Sequence, residues 1–209
     1  MTKVIPAVLE TTVSGYRRKV ALIRQLTDRF QLDVIDGEFV DNRTVQLHEV
    51  EPPSGLKLDV HLMVKRPLEY VSAAIRLRPY TVIVQAEAEE GVTKAIEKIT
   101  AGGIRAGIAI NPDTDLELVR ENIGKLSMVL VMAYPAGFSG QKLQPATLKR
   151  VEELRALSTD IEIGLDGGVE ESTLSKIAKA KFDFICTNSY LFGADSPLTR
   201  YHELIGALG

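Results

Sequence analysis

The feature that most constrains the fold of this 209-residue chain is a repeated alternation of two kinds of segment. Eight short runs are rich in β-branched and apolar residues, which is typical of buried strands. They are KVIPAVL, QLDVI, KLDVHLM, TVIVQAE, IRAGIAI, SMVLVMAY, IEIGLD and FDFICT. Strands that alternate with longer crossover segments form parallel sheets, so the sequence predicts an α/β protein.

The segments between these runs have apolar residues at helical spacing. We expect helices at residues 15–30, 67–77, 91–101, 115–123, 146–157, 171–180 and 197–208. Pro67 and Pro197 suit the first turn of a helix, and Asp113 or Thr114 can cap the fourth of these segments. The second unit differs, because TVQLHEVEPPSG is short and proline-rich and predicts a single helical turn at most.

Eight strand and crossover units favour a closed (β/α)8 TIM barrel over an open, doubly wound sheet. The pattern G-x-G-x-x-G that binds dinucleotides in open sheets is absent after the first strand, where VLETTVSGY offers one glycine. No change in composition and no low-complexity linker divides the chain. We therefore predict a single (β/α)8 barrel domain over residues 1–209.

Composition argues against several classes of partner. The formal net charge of −3 and the pI near 5.7 leave no basic excess for nucleic acid or for an anionic membrane. No run approaches the ~20 apolar residues that span a bilayer, MTKVIPAVLE lacks the apolar core of a secretory signal, and the lone Cys186 cannot form an internal disulfide. We expect a soluble, cytoplasmic protein that binds neither nucleic acid nor membrane, and the sequence leaves open whether it is a homo-oligomer.

Polar residues interrupt the apolar runs near their carboxyl ends, where a barrel carries its chemistry. These residues are Gln31, Asp33, Asp59, His61, Gln85, Glu87 and Asp166. Because alternate residues of a strand share a face, Gln31 and Asp33 point to one side of their strand, as do Asp59 and His61 of theirs. Each set can then enter the barrel mouth.

Six stretches carry the most specific information about function: VIPAVLE, LDVIDGEFVDN, LDVHLMVKRP, AGIAINPDT, VLVMAYPAGFSGQKL and IGLDGGV. In this order they resemble patterns of the ribulose-phosphate 3-epimerase family. The family patterns are P-S-I-L, D-V-M-D-G-x-F-V-P-N, D-V-H-L-M-V-x-x-P, G-x-x-x-N-P-x-T, V-L-V-M-x-x-x-P-G-F-G-G-Q and V-D-G-G-V. Six motifs in the right order are far more specific than any one of them.

The resemblance implies a ribulose-phosphate-binding barrel of carbohydrate metabolism, an isomerase that interconverts ribulose 5-phosphate and xylulose 5-phosphate or a related ketose phosphate. It implies that Asp33 and Asp166 are the catalytic acid and base, because inversion of a carbon needs proton carriers on opposite faces. It also implies a divalent metal ion (Zn, Mn or Fe) at Gln31, Asp33, His61 and Asp166. Gln31 stands where the family has a histidine, and its neutral carbonyl is a weaker ligand than imidazole.

By the same resemblance, residues from several strand ends bind the phosphorylated sugar. They are Ala7, His61, Met63, Gln85, Met132, Gly137, Ser139, Gly140, Gly167, Gly168, Asn188 and Ser189. Backbone N–H groups of a glycine-rich turn and of a short helix start form an anion nest. Asn188 replaces a glycine of the family, and asparagine tolerates left-handed backbone angles. Ala7 and Gln85 replace a serine and a histidine, and Ala136 is an extra residue in the strand-six loop.

These departures leave two functions of different class open. The first is the epimerase, and the second is a catalytically weakened or inactive sugar-phosphate-binding barrel. An aldolase or decarboxylase of a related barrel ranks last, because LDVIDGE lacks the lysine of a D-x-K-x-x-D pattern. Asp36 precedes Gly37, a combination typical of turns, and we expect it to have a structural role.

Overall fold

The computed structural model describes residues 2–51, 54–137 and 142–209. Within them, parallel strands pair in chain order and close into an eight-stranded barrel, with the first strand beside the last. The strands are β1 (Lys3–Val8), β2 (Arg29–Ile35), β3 (Lys57–Met63), β4 (Thr81–Gln85), β5 (Arg105–Ile110), β6 (Leu126–Met132), β7 (Glu162–Asp166) and β8 (Phe184–Thr187). The eight predicted strands and the closed (β/α)8 barrel are confirmed.

Helices follow most of the strands and lie outside the barrel. They are α1 (Val13–Ile23), α2 (Pro67–Arg76), α3 (Val92–Ala101), α4 (Glu117–Asn122), α5 (Pro145–Leu157), α6 (Glu171–Ala180), α7 (Ser189–Phe192) and α8 (Pro197–Leu208). Pro67 and Pro197 occupy first-turn positions, as predicted. No helix in these described ranges reaches the length and apolar character that crossing a bilayer requires.

Three helix predictions need comment. The first segment was predicted too long, because α1 ends at Ile23 and Phe30 is a buried residue of β2. The cap predicted at Asp113 or Thr114 is wrong, because α4 begins after Leu116. Between β2 and β3 the described residues contain no helix, and residues 47–49 form a turn, in agreement with the short second unit.

Two layers of apolar side chains fill the molecule. One layer packs the helices onto the outside of the strands, and the other fills the barrel interior. The interior layer comprises Ile5, Ala7, Ile35, Met63, Ile83, Ala109, Met128, Leu130, Met132, Ala136, Phe184 and Cys186. Burial of each large side chain contributes roughly 1.5–3 kcal/mol. Because this layer fills the interior, polar side chains near the strand ends are held in a dry environment.

Candidate active site

Three ionisable side chains meet at the carboxyl end of the barrel. Asp33 lies on β2, His61 lies beside it on β3, and Asp166 is the last residue of β7. The Nδ1 atom of His61 is 3.4 Å from Asp33 Oδ1 and 3.5 Å from Asp166 Oδ2. One potential ligand atom from each residue lies within 4.8 Å of the other two. Barrel closure therefore brings together two carboxylates that are far apart in the sequence.

Gln31 joins the two carboxylates from below. Its Nε2 donates to Asp33 Oδ1 at 2.8 Å and to Asp166 Oδ2 at 2.7 Å. Its Oε1 accepts a hydrogen bond from the Cys186 thiol at 3.2 Å. In this orientation Gln31 presents nitrogen rather than the predicted carbonyl oxygen to the carboxylates. An amide nitrogen is a donor, so Gln31 fixes the two carboxylates relative to one another.

The three side chains are almost completely buried, with exposed fractions of 4% for Asp33, 0% for His61 and 8% for Asp166. Burial raises the pKa of Asp33 above its ordinary value, and the nearby charge of Asp166 raises it further. Burial alone would lower the pKa of His61, but the carboxylates of Asp166 and Asp33 outweigh it and raise that pKa to about 10. The site therefore stabilises a proton on or between its own side chains.

The same three residues fit a divalent metal ion. Among the described residues, His61 Nδ1 is a buried polar atom without a hydrogen-bond partner, and it faces two carboxylates. One imidazole nitrogen and two carboxylate oxygens form a mixed donor set that suits zinc, manganese or iron. The donor atoms of Asp33, His61 and Asp166 are close enough to share one ion.

A cavity of about 260 Å³ opens above the two carboxylates. Most of the predicted site residues line it: Ala7, Asp33, Met63, Met132, Gly137, Asp166, Gly167, Gly168, Asn188 and Ser189. Gln31, His61 and Gln85 are fully buried and lie beneath this surface rather than on it. Ser139 and Gly140 lie outside the described residues.

The cavity also has lining residues that the sequence analysis missed. They are Leu9, Tyr134, Val169, Glu170, Thr187 and Tyr190. Leu9, Tyr134 and Thr187 end three of the predicted strand runs, so the rule that barrel chemistry lies at strand carboxyl ends points to all three. Val169 and Glu170 lie in the connection between β7 and α6, and Tyr190 lies in α7; their positions depend on the closed barrel.

The loops after β7 and β8 bring bare backbone to one side of the cavity. Gly167 and Gly168 have φ angles of 81° and 63°, which L side chains rarely adopt. A Cβ atom at Gly167 would lie 2.5 Å from the Tyr134 hydroxyl oxygen, and one at Gly168 would lie 2.7 Å from the Ala133 methyl carbon. Both positions therefore require glycine, and the backbone can approach a ligand closely.

Asn188 differs from the prediction. Its φ is −114°, so the left-handed conformation expected at this position does not occur. Its Oδ1 instead accepts a hydrogen bond from Lys19 Nζ at 2.7 Å, and Lys19 also pairs with Glu10 at 2.7 Å. Asn188, which stands where the family has a glycine, therefore links the β8 loop to α1 through Lys19.

Asp36 has the structural role expected of it. One carboxylate oxygen accepts from the N–H groups of Glu38 and Phe39, both at 2.8 Å, and the other accepts from the N–H group of Lys65 at 2.8 Å. These three bonds hold the β2 loop against the end of β3. Asp36 is absent from the residues that line the cavity.

Comparison with known proteins agrees with the motif resemblance. The sequence model of the ribulose-phosphate 3 epimerase family matches residues 3–192. Ribulose-phosphate 3-epimerase of Bacillus subtilis (strain 168) is 28% identical, over 99% of this chain and 100% of that protein. The protein of the same name from Chlamydia muridarum is 32% identical, over 79% of this chain and 76% of its own.

Solved structures agree on the fold. A crystal structure of 3-hexulose-6-phosphate synthase superposes with a TM-score of 0.72 at 14% identity, over 100% of both chains. Tryptophan synthase of Mycobacterium tuberculosis gives 0.70 at 17% identity, over 99% of this chain and 91% of that one. At these identities the likeness concerns the barrel alone. The family match and the relatives cover nearly the whole sequence, and the chain belongs to the ribulose-phosphate 3-epimerase family.

Proposed function

We propose that this chain is an epimerase that interconverts the ketopentose phosphates ribulose 5-phosphate and xylulose 5-phosphate. The observation that carries the proposal is that Asp33 and Asp166, from β2 and β7, reach the same cavity. The two relatives described above are both named ribulose-phosphate 3-epimerase, and their similarity to this chain extends over most of their length. They favour an active epimerase over a catalytically weakened or inactive sugar-phosphate-binding barrel.

The reaction requires one group to remove the proton beside the ketone and another to deliver a proton to the opposite face of that carbon. Asp33 and Asp166 serve as these two groups. The raised pKa of Asp33 lets it hold a proton at a pH closer to neutral than an exposed aspartate would. Gln31, hydrogen-bonded to both, keeps the two carboxyl groups in register on either side of the substrate.

Negative charge develops on the substrate oxygen when the proton leaves, and the site must stabilise it. Asp33, His61 and Asp166 would hold a divalent ion, and such an ion would supply Lewis-acid stabilisation of this charge. His61 Nδ1 faces both carboxylates, 3.4 Å from Asp33 Oδ1 and 3.5 Å from Asp166 Oδ2. Met63 and Met132 line the cavity near them and exclude water from the reacting carbon.

The phosphate group is expected at the loops after β7 and β8. The N–H groups of Gly168, Ser189 and Tyr190 donate no hydrogen bond within the described residues, and all three residues line the cavity. Several unpaired N–H groups around one concave surface form an anion-binding nest. A phosphorylated sugar that spans from these loops to Asp33 and Asp166 is the substrate class that fits.

The proposal is tested by incubating the full chain with ribulose 5-phosphate in D₂O, with zinc, manganese or iron(II) added in turn. Proton NMR would follow loss of the C3 hydrogen signal and appearance of xylulose 5-phosphate. We expect both changes with at least one of the metals. Binding of the sugar phosphate without exchange under any of these conditions would instead support the binding barrel.

A further inference from the structure

A chain of hydrogen bonds runs away from the site on the far side of His61. His61 Nε2 lies 2.9 Å from Gln85 Oε1, and Gln85 Nε2 donates to Glu87 Oε2 at 2.6 Å. A carboxylate only accepts, so Glu87 holds the nitrogen of the Gln85 amide and turns its oxygen toward His61. Because that oxygen is an acceptor, the hydrogen bond to His61 requires a proton on Nε2.

Glu87 is itself held in place by its other oxygen. Glu87 Oε1 accepts from the Asn111 N–H group at 2.8 Å and from the Thr114 hydroxyl. Asn111 Oδ1 in turn accepts from the Ala136 N–H group at 3.0 Å. The network therefore joins the ends of β3, β4 and β5 to the loop that follows β6. None of these bonds involves a proton carrier of the proposed reaction.

We propose that Gln85 and Glu87 are positioning residues that fix the proton of His61 on Nε2 and leave Nδ1 facing Asp33 and Asp166. The inference rests on the proposed function, since it concerns the histidine that serves the two acid–base carboxylates. Partners that orient a site histidine through its second nitrogen typically change metal affinity or activity by about 10–100-fold when they are removed.

The variant that breaks the network is Glu87→Gln. While its oxygen still accepts from Asn111 and Thr114, the new amide presents its NH₂ group to Gln85. This favours a flipped Gln85 amide with its oxygen toward position 87, which the long 3.5 Å contact of Gln85 Nε2 with Asn111 Oδ1 opposes only weakly.

The exchanged pair, Gln85→Glu combined with Glu87→Gln, keeps the total charge. In it the carboxylate at position 85 accepts from His61 Nε2 and from the amide at position 87, so both hydrogen bonds are retained. Glu89→Gln is the matched control, because Glu89 is exposed and pairs with Lys65 at the surface.

The first measurement is the ¹⁵N NMR spectrum of histidine-labelled full-length protein. We expect a proton on His61 Nε2 that is protected from solvent exchange in the wild type, in Glu89→Gln and in the exchanged pair. In Glu87→Gln we expect the Nε2 proton to lose this protection and to exchange faster with solvent. The second measurement is C3-hydrogen exchange of ribulose 5-phosphate, for which we expect Glu87→Gln to lower kcat about 10–100-fold with little change in KM. The exchanged pair should restore kcat.

An unprotonated His61 Nε2 in the wild type would overturn the proposal. So would a Glu87→Gln spectrum that matches the wild type, or an exchanged pair that behaves like Glu87→Gln. Failure of the proposed function has a different signature, because wild-type protein would then show no C3 exchange while its His61 Nε2 proton still responds to the substitutions.

Discussion

Two clusters of charged side chains share strands β2, β3 and β7, and they differ in how their charges are matched. The upper cluster comprises Gln31, Asp33, His61 and Asp166 at the carboxyl end of the barrel, and the lower cluster comprises Arg29, Asp59, Arg105 and Glu162 at the amino end. Arg29, Gln31 and Asp33 alternate along β2, and Asp59 and His61 do so along β3. Arg29 and Asp59 are buried like the upper cluster, whereas the side chains of Arg105 and Glu162 are 28% and 27% exposed.

In the lower cluster, each charge has a partner of opposite sign. Arg29 Nε donates to Asp59 Oδ2 at 2.7 Å, and Arg105 contacts Glu162 at 2.8 Å. The Arg29 guanidinium also lies 4.8 Å from the centre of the Tyr80 ring. No residue of this cluster lines the cavity above the upper cluster. These contacts fix the closed end of the barrel.

In the upper cluster, two carboxylates share one histidine and one amide, and the cavity lies directly above them. Two like charges held this close raise the free energy of the fully ionised state. The comparison indicates that function in this barrel depends on charge that the protein leaves unmatched and open to a ligand. It predicts that substitutions in the upper cluster change activity and that those in the lower cluster change stability.

The largest effect is expected from Asp33→Asn and Asp166→Asn. Each removes one of the two proton carriers, so we expect conversion of ribulose 5-phosphate to xylulose 5-phosphate to fall about 10²–10⁴-fold. The melting temperature should change little, because the loss of repulsion between two like charges is offset by the loss of one carboxylate that stabilises protonated His61. Steady-state assays and thermal unfolding of the same samples check both parts, and a variant that keeps activity within tenfold would break the comparison.

Arg29→Met is expected to lower the stability of the fold and to leave the activity unchanged. Leaving Asp59 as an uncompensated buried charge costs about 3–5 kcal/mol of the free energy of unfolding, measured in urea. Adding Asp59→Leu should recover most of this loss, since an apolar pair of similar volume is often neutral. Activity per folded molecule should be unchanged. An activity loss without a stability loss would place the lower cluster in the catalytic machinery.

A change of pH is expected to have a smaller effect, on the free energy of unfolding of the metal-free protein. His61 has its pKa raised from an ordinary 6.5 to about 10 in the fold. The stability that this histidine contributes is therefore fully present below about pH 6.5 and is lost as the pH rises through about 10. The slope attributable to one proton is at most about 1.4 kcal/mol per pH unit.

Urea unfolding at several pH values, with chelator present, measures this slope. The variant His61→Asn should lack it, and other groups that titrate in the range are common to both proteins and cancel. An identical pH dependence in the two proteins would mean that the upper cluster does not hold its proton as described.

The smallest effect is expected at the edge of the cavity. Lys19→Met removes the contacts with Asn188 and Glu10, and partly exposed pairs of this kind contribute about 0.2–1 kcal/mol. We expect a KM for the sugar phosphate that is raised about two- to fivefold, with kcat unchanged. Arg18→Met, on the same helix but bonded to Ser14, is the control. A change in kcat would indicate that α1 reaches the reacting carbon.

The sequence was sufficient to predict the barrel and the meeting of Asp33 and Asp166 at one end of it, for different physical reasons. Strand periodicity repeats in every unit, so single errors such as the overlong first helix do not change the fold. Asp33 lies near the carboxyl end of β2 and Asp166 ends β7, both within recognisable motifs, and the barrel rule places both at one face.

Contacts between side chains from different strands could not be predicted in this way. The bond between His61 and Gln85 depends on the register of β3 and β4 and on the direction of two side chains. Arg29 was placed in a helix, so its pairing with Asp59 was missed. The orientation of Gln31 depends on two carboxylates and on Cys186, which meet only when the barrel closes.

The central claim is that Asp33 and Asp166 act on opposite faces of one substrate carbon. The most direct test incubates Asp33→Asn and Asp166→Asn separately with ribulose 5-phosphate and with xylulose 5-phosphate in D₂O, and follows the C3 hydrogen by NMR. We predict that each variant exchanges the hydrogen of one epimer only, and that the two variants spare opposite epimers. Exchange that is kept or lost on the same epimer in both variants would contradict this account.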